Sequence, residues 1–192
     1  MRLLTGSLLA FLIATLVGLG ATYFALSRDA AFGALKIGSW TAWPKTGTID
    51  ADPYARAVIA RSGRLVTGVG DGVAFTTQSD DNGKPLDGRC NVTVAGITPQ
   101  ARFWTLALYS QAGNLVANSL NRHGFTSQEI VRSADGTFEI AVAPRAHPGN
   151  WLPTGGVERY VLVLRLYDTP VGVATKAGRE VPMPSIVTGT CR

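Results

Sequence analysis

The sequence predicts a mainly β protein: an antiparallel sandwich or barrel preceded by one N-terminal transmembrane helix. Three observations carry this. Residues 3–26, "LLTGSLLAFLIATLVGLGATYFAL", hold no charge. Beyond the first 70 or so residues, short apolar runs alternate with period two and are punctuated by turn residues. The chain also has 22 Gly and 10 Pro, which suits a protein of many turns. With 46% hydrophobic and 16% charged residues, it is too apolar for a disordered chain.

As a helix, the uncharged run spans roughly 36 Å, enough to cross a hydrocarbon core of about 30 Å. It is longer than the roughly 7–15 apolar residues of a signal peptide, so residues 1–27 are expected to form an uncleaved anchor. A signal peptide is the alternative, because Ala25-Leu26-Ser27 offers a small-x-small site. Arg2 precedes the run, and Arg28 beyond it is offset in part by Asp29. The positive-inside rule then leaves the N-terminus in the cytoplasm and turns residues 28–192 outward. In a bacterium this is a single-pass inner-membrane protein with its C-terminal domain in the periplasm. Cys90 and Cys191 both lie in the outward part. In an oxidising compartment an even count invites a disulfide, with two buried free thiols as the alternative.

The remaining elements follow in order. "LKIGSWTAWP" suits a short strand leading away from the membrane. "DADPYARAVIARSG" reads as a short helix near 52–62, with Asp52 as N-cap, Pro53 at the first helical position and Gly63 closing it. "GVAFTTQ" is a strand. "SDDNGKPLDG" is a polar connection whose Asn82-Gly83 is a hairpin signal. "RCNVTVAGI" and "RFWTLALYS" are strands, and "EIVRS", "ADG" and "TFEIAVA" form a further hairpin. "HPGNWLPTGG", residues 147–156, is an irregular loop, since its prolines and glycines exclude a helix or a central strand. "ERYVLVLRLYD" is the most apolar strand, and "PSIVTGTC" finishes the sheet.

The residues name no reaction. A net charge of +5 without a Lys/Arg run is a mild bias and no nucleic-acid signature. His123 and His147, the two histidines, lack the companions that a zinc site needs, so no metal is expected. "DDNGKPLDG" fails the calcium-loop pattern, with Lys84 in a ligand position and Asn91 in place of the closing acid. No phosphate or dinucleotide glycine motif and no G-x-S-x-G elbow occurs, and no cofactor is expected.

Two places stand out. Arg165 shares a strand face with Val161, Val163 and Tyr167, while the other face carries Tyr160, Leu162, Leu164 and Leu166. A strand apolar on both faces is expected to be covered on both. Arg165 should then be paired, with Asp52 or Asp168 as the carboxylate, or should snorkel to an edge; the sharper alternative is that it binds an anion in a pocket. In "HPGNWLPTGG", Asn150 is suited to satisfying the turn's backbone, and Pro153 holds the Trp151-Leu152 pair in few directions. Trp151 is expected to plug the end of the sandwich; a docking or ligand surface is the alternative. Asn150, Trp151, Arg165 and Tyr167 are therefore the candidate ligand- or partner-binding residues.

In this order, "DADPYARA", "FWTLALY", "GNWLP" and "LRLYD", together with "DDNGKPLDG", resemble the bacterial domain of unknown function numbered 1214. The motifs are spread over most of residues 40–192. The resemblance implies a jelly-roll-like β-sandwich and no established activity. In many members this domain follows a companion, the domain of unknown function numbered 1254, which residues 1–192 do not include. The function expected is a membrane-anchored binding or assembly subunit of the bacterial envelope, with a separately encoded companion-domain protein as partner. The alternative is an enzyme or binding module for envelope glycans, with Trp40 and Trp43 stacking on sugars.

Overall fold

The structure is a computed structural model, and it describes residues 2–27, 33–62, 68, 70–172 and 181–191. The glycine expected to close the short helix, Gly63, lies outside these.

The uncharged run forms α1 (Arg2–Ser27), long and apolar enough to cross a membrane. Its hydroxyls turn back onto the helix: Thr15 donates to Phe11 O (2.8 Å) and Thr22 to Gly18 O (2.9 Å). Polar groups satisfied in this way are compatible with an apolar surround. The second helix, α2 (Pro53–Ser62), starts as its sequence requires. Asp52 Oδ1 accepts from Tyr54 N (2.9 Å) and Ala55 N (3.2 Å), which satisfies two of the otherwise unpaired first-turn donors.

Ten strands are described. They are β1 (Leu35–Ile37), β2 (Trp40–Ala42), β3 (Gly72–Thr77), β4 (Cys90–Gly96), β5 (Phe103–Ser110), β6 (Gly124–Thr126), β7 (Phe138–Ala143), β8 (Asn150–Pro153), β9 (Tyr160–Tyr167) and β10 (Ser185–Cys191). They form a six-stranded sheet, β1-β2-β3-β9-β5-β6, and a four-stranded sheet, β10-β4-β7-β8. The inner faces meet in one core. Phe75, Leu106, Leu108, Leu162, Leu164 and Leu166 line one side, and Val92, Val94, Ile140, Val142, Leu152 and Ile186 the other. Trp104 of β5 meets Phe138 of β7 across the layers, with ring centroids 5.2 Å apart. A two-sheet sandwich is thus present, antiparallel except for one pair.

That pair corrects the reading of "HPGNWLPTGG". Residues 150–153 are a strand, paired in parallel with β7 from Ile140↔Asn150 to Ala143↔Pro153. The prolines and glycines exclude a central strand, but β8 lies at the sheet edge. Thr154 N donates to Ala143 O (3.3 Å), so by alternation Pro153 turns its nitrogen away from β7, where no N–H is needed. Two smaller differences concern length. "LKIGSWTAWP" is a whole hairpin, β1 and β2, turning at Gly38 (φ 58°). The three-residue β6 has no counterpart among the expected strands.

The Asn82-Gly83 turn forms where expected. Asp80 Oδ1 accepts from Asn82 N (3.0 Å) and Lys84 N (2.8 Å), and Gly83 takes φ 81°. The N–H of Asp81 donates to Ile186 O (3.0 Å), and its Oδ2 accepts from Ile186 N (2.8 Å). The outward polar groups of β10 at Ile186 are thereby occupied, which blunts an otherwise open sheet edge.

Cys90 and Cys191 are bonded, with Cα atoms 3.9 Å apart and a sequence separation of 101. The bond ties the end of β10 to the start of β4. In the chain-entropy account, closing a loop of about 100 residues contributes on the order of 4–5 kcal/mol. Reduction, or the paired change Cys90→Ala with Cys191→Ala, is expected to lower the denaturant midpoint markedly. An unchanged midpoint in urea titrations with and without reductant would contradict the assignment.

Candidate functional site

The four candidate residues do not converge. Asn150 points inward at the edge of the four-stranded sheet and is buried. Its Oδ1 accepts from Val131 N (2.8 Å), and its Nδ2 donates to Val131 O and Glu139 O (both 2.8 Å). The amide therefore fastens the 129–133 segment to β7 and β8, using most of its bonding capacity. Leu152, fully buried, is the residue that fills the core. Trp151 lies between them on the other face and is half-buried, its ring N–H donating to Ala143 O (3.0 Å). The expected plug is thus Leu152. Strand alternation, which a loop would not impose, turns Trp151 outward.

Arg165 and Tyr167 stand on the outer face of the six-stranded sheet. Here too an expectation changes. Arg165 Nη1 donates to Tyr109 Oη (3.0 Å), and the guanidinium carbon sits 5.3 Å from the Tyr109 ring centre. No carboxylate pairs with it among the described residues. Asp52 caps α2, and Asp168 lies 3.9 Å from Arg102. The register pairs Arg165 with Thr105, Val163 with Ala107 and Val161 with Tyr109. The stem of Arg165 therefore runs over the small Val163–Ala107 pair, and Val163 is buried on an otherwise half-exposed face. With its head reaching a phenol and solvent, the guanidinium needs no ion pair. Tyr167 packs on Phe103 beside it, centroids 5.8 Å apart. Facing residues on β3 and β5 are Ala74, Thr76, Thr105 and Ala107. The central strands of this face thus present aromatic, aliphatic and threonine side chains and one cation.

A third place was not legible in the sequence. At the end of the sandwich opposite Tyr167, a pocket of about 380 Å³ is lined by Lys84, Pro85, Asp87, Arg89, Arg159 and the Cys90–Cys191 disulfide. Three segments build it. Lys84 closes the Asp80 turn, Asp87 bridges to Arg159 at the entry to β9, and the disulfide brings in the end of β10. Gly88 is required here, because a Cβ would overlap the Val157 carbonyl. Arg89 grips Asp87 twice, Nε to Oδ1 (3.0 Å) and Nη2 to Oδ2 (2.6 Å). That grip holds the Asp87 carboxyl down at about 2, well below its ordinary 3.8.

His123 Nδ1 is within 2.9 Å of Val116 O, and His147 is half-buried elsewhere. Among the described residues, no three His, Cys, Asp or Glu side chains gather as a metal site would require.

The placement of Trp151 has a measurable consequence. Trp104, in the core, is expected to lose about 3–5 kcal/mol on change to Ala. Trp151→Ala is expected to lose clearly less. Asn150→Ala is expected to cost at least about 1–3 kcal/mol, since it strands buried backbone groups. Urea melts of the three variants check the order, and equal losses for Trp104 and Trp151 would overturn it.

One solved structure shows the same fold. The VPA0106 protein of Vibrio parahaemolyticus is similar at 22% identity and TM-score 0.59, over 73% of this chain and 36% of that one. A putative uncharacterized protein of Burkholderia cenocepacia aligns at 17% identity and TM-score 0.44, over 61% of this chain and 30% of that one. This chain spans about a third of the length of these proteins. No curated protein matches it. Residues 71–171, from the start of β3 to just beyond β9, match the family described as a protein of unknown function, DUF1214. That stretch exceeds half the sequence, and the chain belongs to the DUF1214 family.

Proposed function

We propose that this protein is an accessory subunit of the bacterial envelope. In this reading α1 anchors it in the inner membrane, the sandwich faces the periplasm, and a separately encoded companion protein docks on the six-stranded sheet. The observation that carries the proposal is the outer face around Arg165. Val161, Val163, Arg165 and Tyr167 of β9 lie beside Phe103 and Tyr109 of β5, and no carboxylate stands on these two strands. Aromatic side chains with a central arginine are the composition of protein interfaces rich in binding energy. The Cys90–Cys191 bond agrees with an oxidising compartment.

The glycan reading draws less support. Trp40 and Trp104 are buried in the core, and the ring N–H of Trp40 donates to Pro184 O (2.8 Å). Trp40 therefore offers no face for a sugar to stack on.

Two experiments test the proposal. The full chain, purified from native membranes in neutral detergent, is expected to bring down one protein in near-equal amount. Arg165→Glu is expected to lose that protein at unchanged melting temperature, while Trp151→Ala keeps it. Equal capture by Arg165→Glu would sink this docking face. Separately, a reporter active only in the cytoplasm, fused after Arg192, is expected to stay silent; an active one would reverse the orientation.

A further inference from the structure

We propose that the pocket beside the Cys90–Cys191 disulfide is a binding site for a phosphate monoester, carried either by a small soluble molecule or by a lipid headgroup. It is separate from the docking face and does not depend on it. The lining carries three cations, Lys84, Arg89 and Arg159, against one carboxylate, Asp87. Among the described residues, only Arg89 of the three forms an ion pair. It forms a two-bond pair with Asp87, whose side chain is 18% exposed against 66% for Arg89. That pair fixes the wall. Arg159 also feels the Asp87 charge at longer range, yet it and Lys84 keep their N–H donors for a ligand. Among the described residues, Arg159 has no ion pair, and its position is set by the bridge between Asp87 and Arg159. Among the described residues, Lys84 Nζ finds only Cys191 Sγ, at 3.6 Å. A disulfide sulfur is a weak acceptor, so the ammonium keeps donors to offer.

The two uncommitted cations differ in a useful way. Arg159 supplies a planar fork suited to two oxygens of one group, and Lys84 supplies a compact charge. A dianion answers both; a single carboxylate answers one. Pro85 and the disulfide add apolar wall beside the charges. At about 380 Å³, the pocket is at the small end of the roughly 300–1,000 Å³ range of ligand sites. The ligand that fits is therefore a phosphate monoester with a compact apolar body next to the phosphate. The site is also held in shape. The Asp80 turn fixes Lys84, and Gly88 lets the Asp87 segment approach Val157 closely. The disulfide fixes the far wall. Little ordering is left for binding to cost.

The test uses the full chain in neutral detergent micelles, with phenyl phosphate as the soluble probe, benzoate as the monoanion and phosphatidic acid doped into the micelles as the lipid source. Titrations are followed by the side-chain N–H signals of the arginines. Phenyl phosphate is expected to bind saturably below about 1 mM, and Lys84→Ala or Arg159→Ala to weaken it about tenfold each. Lys45→Ala, an exposed lysine elsewhere, is expected to change nothing. Competition by doped phosphatidic acid would assign the site to a lipid headgroup, and its absence to a soluble ester; both outcomes support the proposal. It is overturned if neither phosphate source saturates by about 10 mM, if benzoate binds as tightly as phenyl phosphate, or if the variants bind like the parent.

Discussion

Strand β9 must satisfy both of its edges and both of its faces at once, and the rest of the sandwich is arranged around that demand. Its edges are taken by β3 and β5, so its backbone is paired along its length. Its inward face, Tyr160, Leu162, Leu164 and Leu166, is fully buried against the four-stranded sheet. Each buried leucine contributes about 1.5–3 kcal/mol, which makes this one strand a large part of the core. The outward face follows from the same alternation. Once the leucines are committed inward, Arg165 and Tyr167 have no other place to stand. The composition of the outer face is thus a by-product of core register, and a one-residue slip would exchange the two faces entirely.

The two sheets are joined by polar links at the margin as well as by the core. Trp40, carried by β2, donates to the Pro184 carbonyl just ahead of β10. Ser39 donates to Asp81 Oδ1 (2.8 Å), and the other oxygen of Asp81 accepts from Ile186. The β1–β2 hairpin, the Asp80–Lys84 turn and β10 therefore lock together at one side of the sandwich. On the other side, Arg122, just ahead of β6, donates Nη1 to Trp151 O (3.1 Å), which gives an outward carbonyl of β8 a partner. Both links serve edge strands, where backbone groups would otherwise be exposed.

Local chemistry was the legible part of the sequence. The Asp52-Pro53 start of α2, the Asn82-Gly83 turn and the alternation of β4, β5 and β9 each depend on neighbours a few residues away. The single possible cysteine pairing was equally plain. What could not be read depends on distant chain segments. β8 is a strand only because β7 offers an edge, and its own proline and glycines argue otherwise. β6 has three residues, too few for a period to show. Arg165 finds Tyr109, a partner 56 positions away on the neighbouring strand, where a carboxylate was expected. The pocket needs residues 84–89, 159 and 191 at once, and no spacing in the sequence announces that meeting.

The pairing of β4 has a consequence for how the chain is made. β4 lies between β7 and β10, and β10 is the last of the described strands in chain order. During synthesis at about 5–20 residues per second, roughly 5–20 s separate the appearance of the two cysteines. For that interval "CNVTVAG" has at least one edge unmatched, and both until β7 emerges, with its backbone donors and acceptors open to any passing strand. The nascent chain is then at its most vulnerable, and a chaperone that shields extended segments has its clearest opportunity. Completion is abrupt: pairing with β10, the Asp81 clamp and the covalent bond all become available within the final few residues of the sandwich. Its commitment to the folded state is late and held in one short segment.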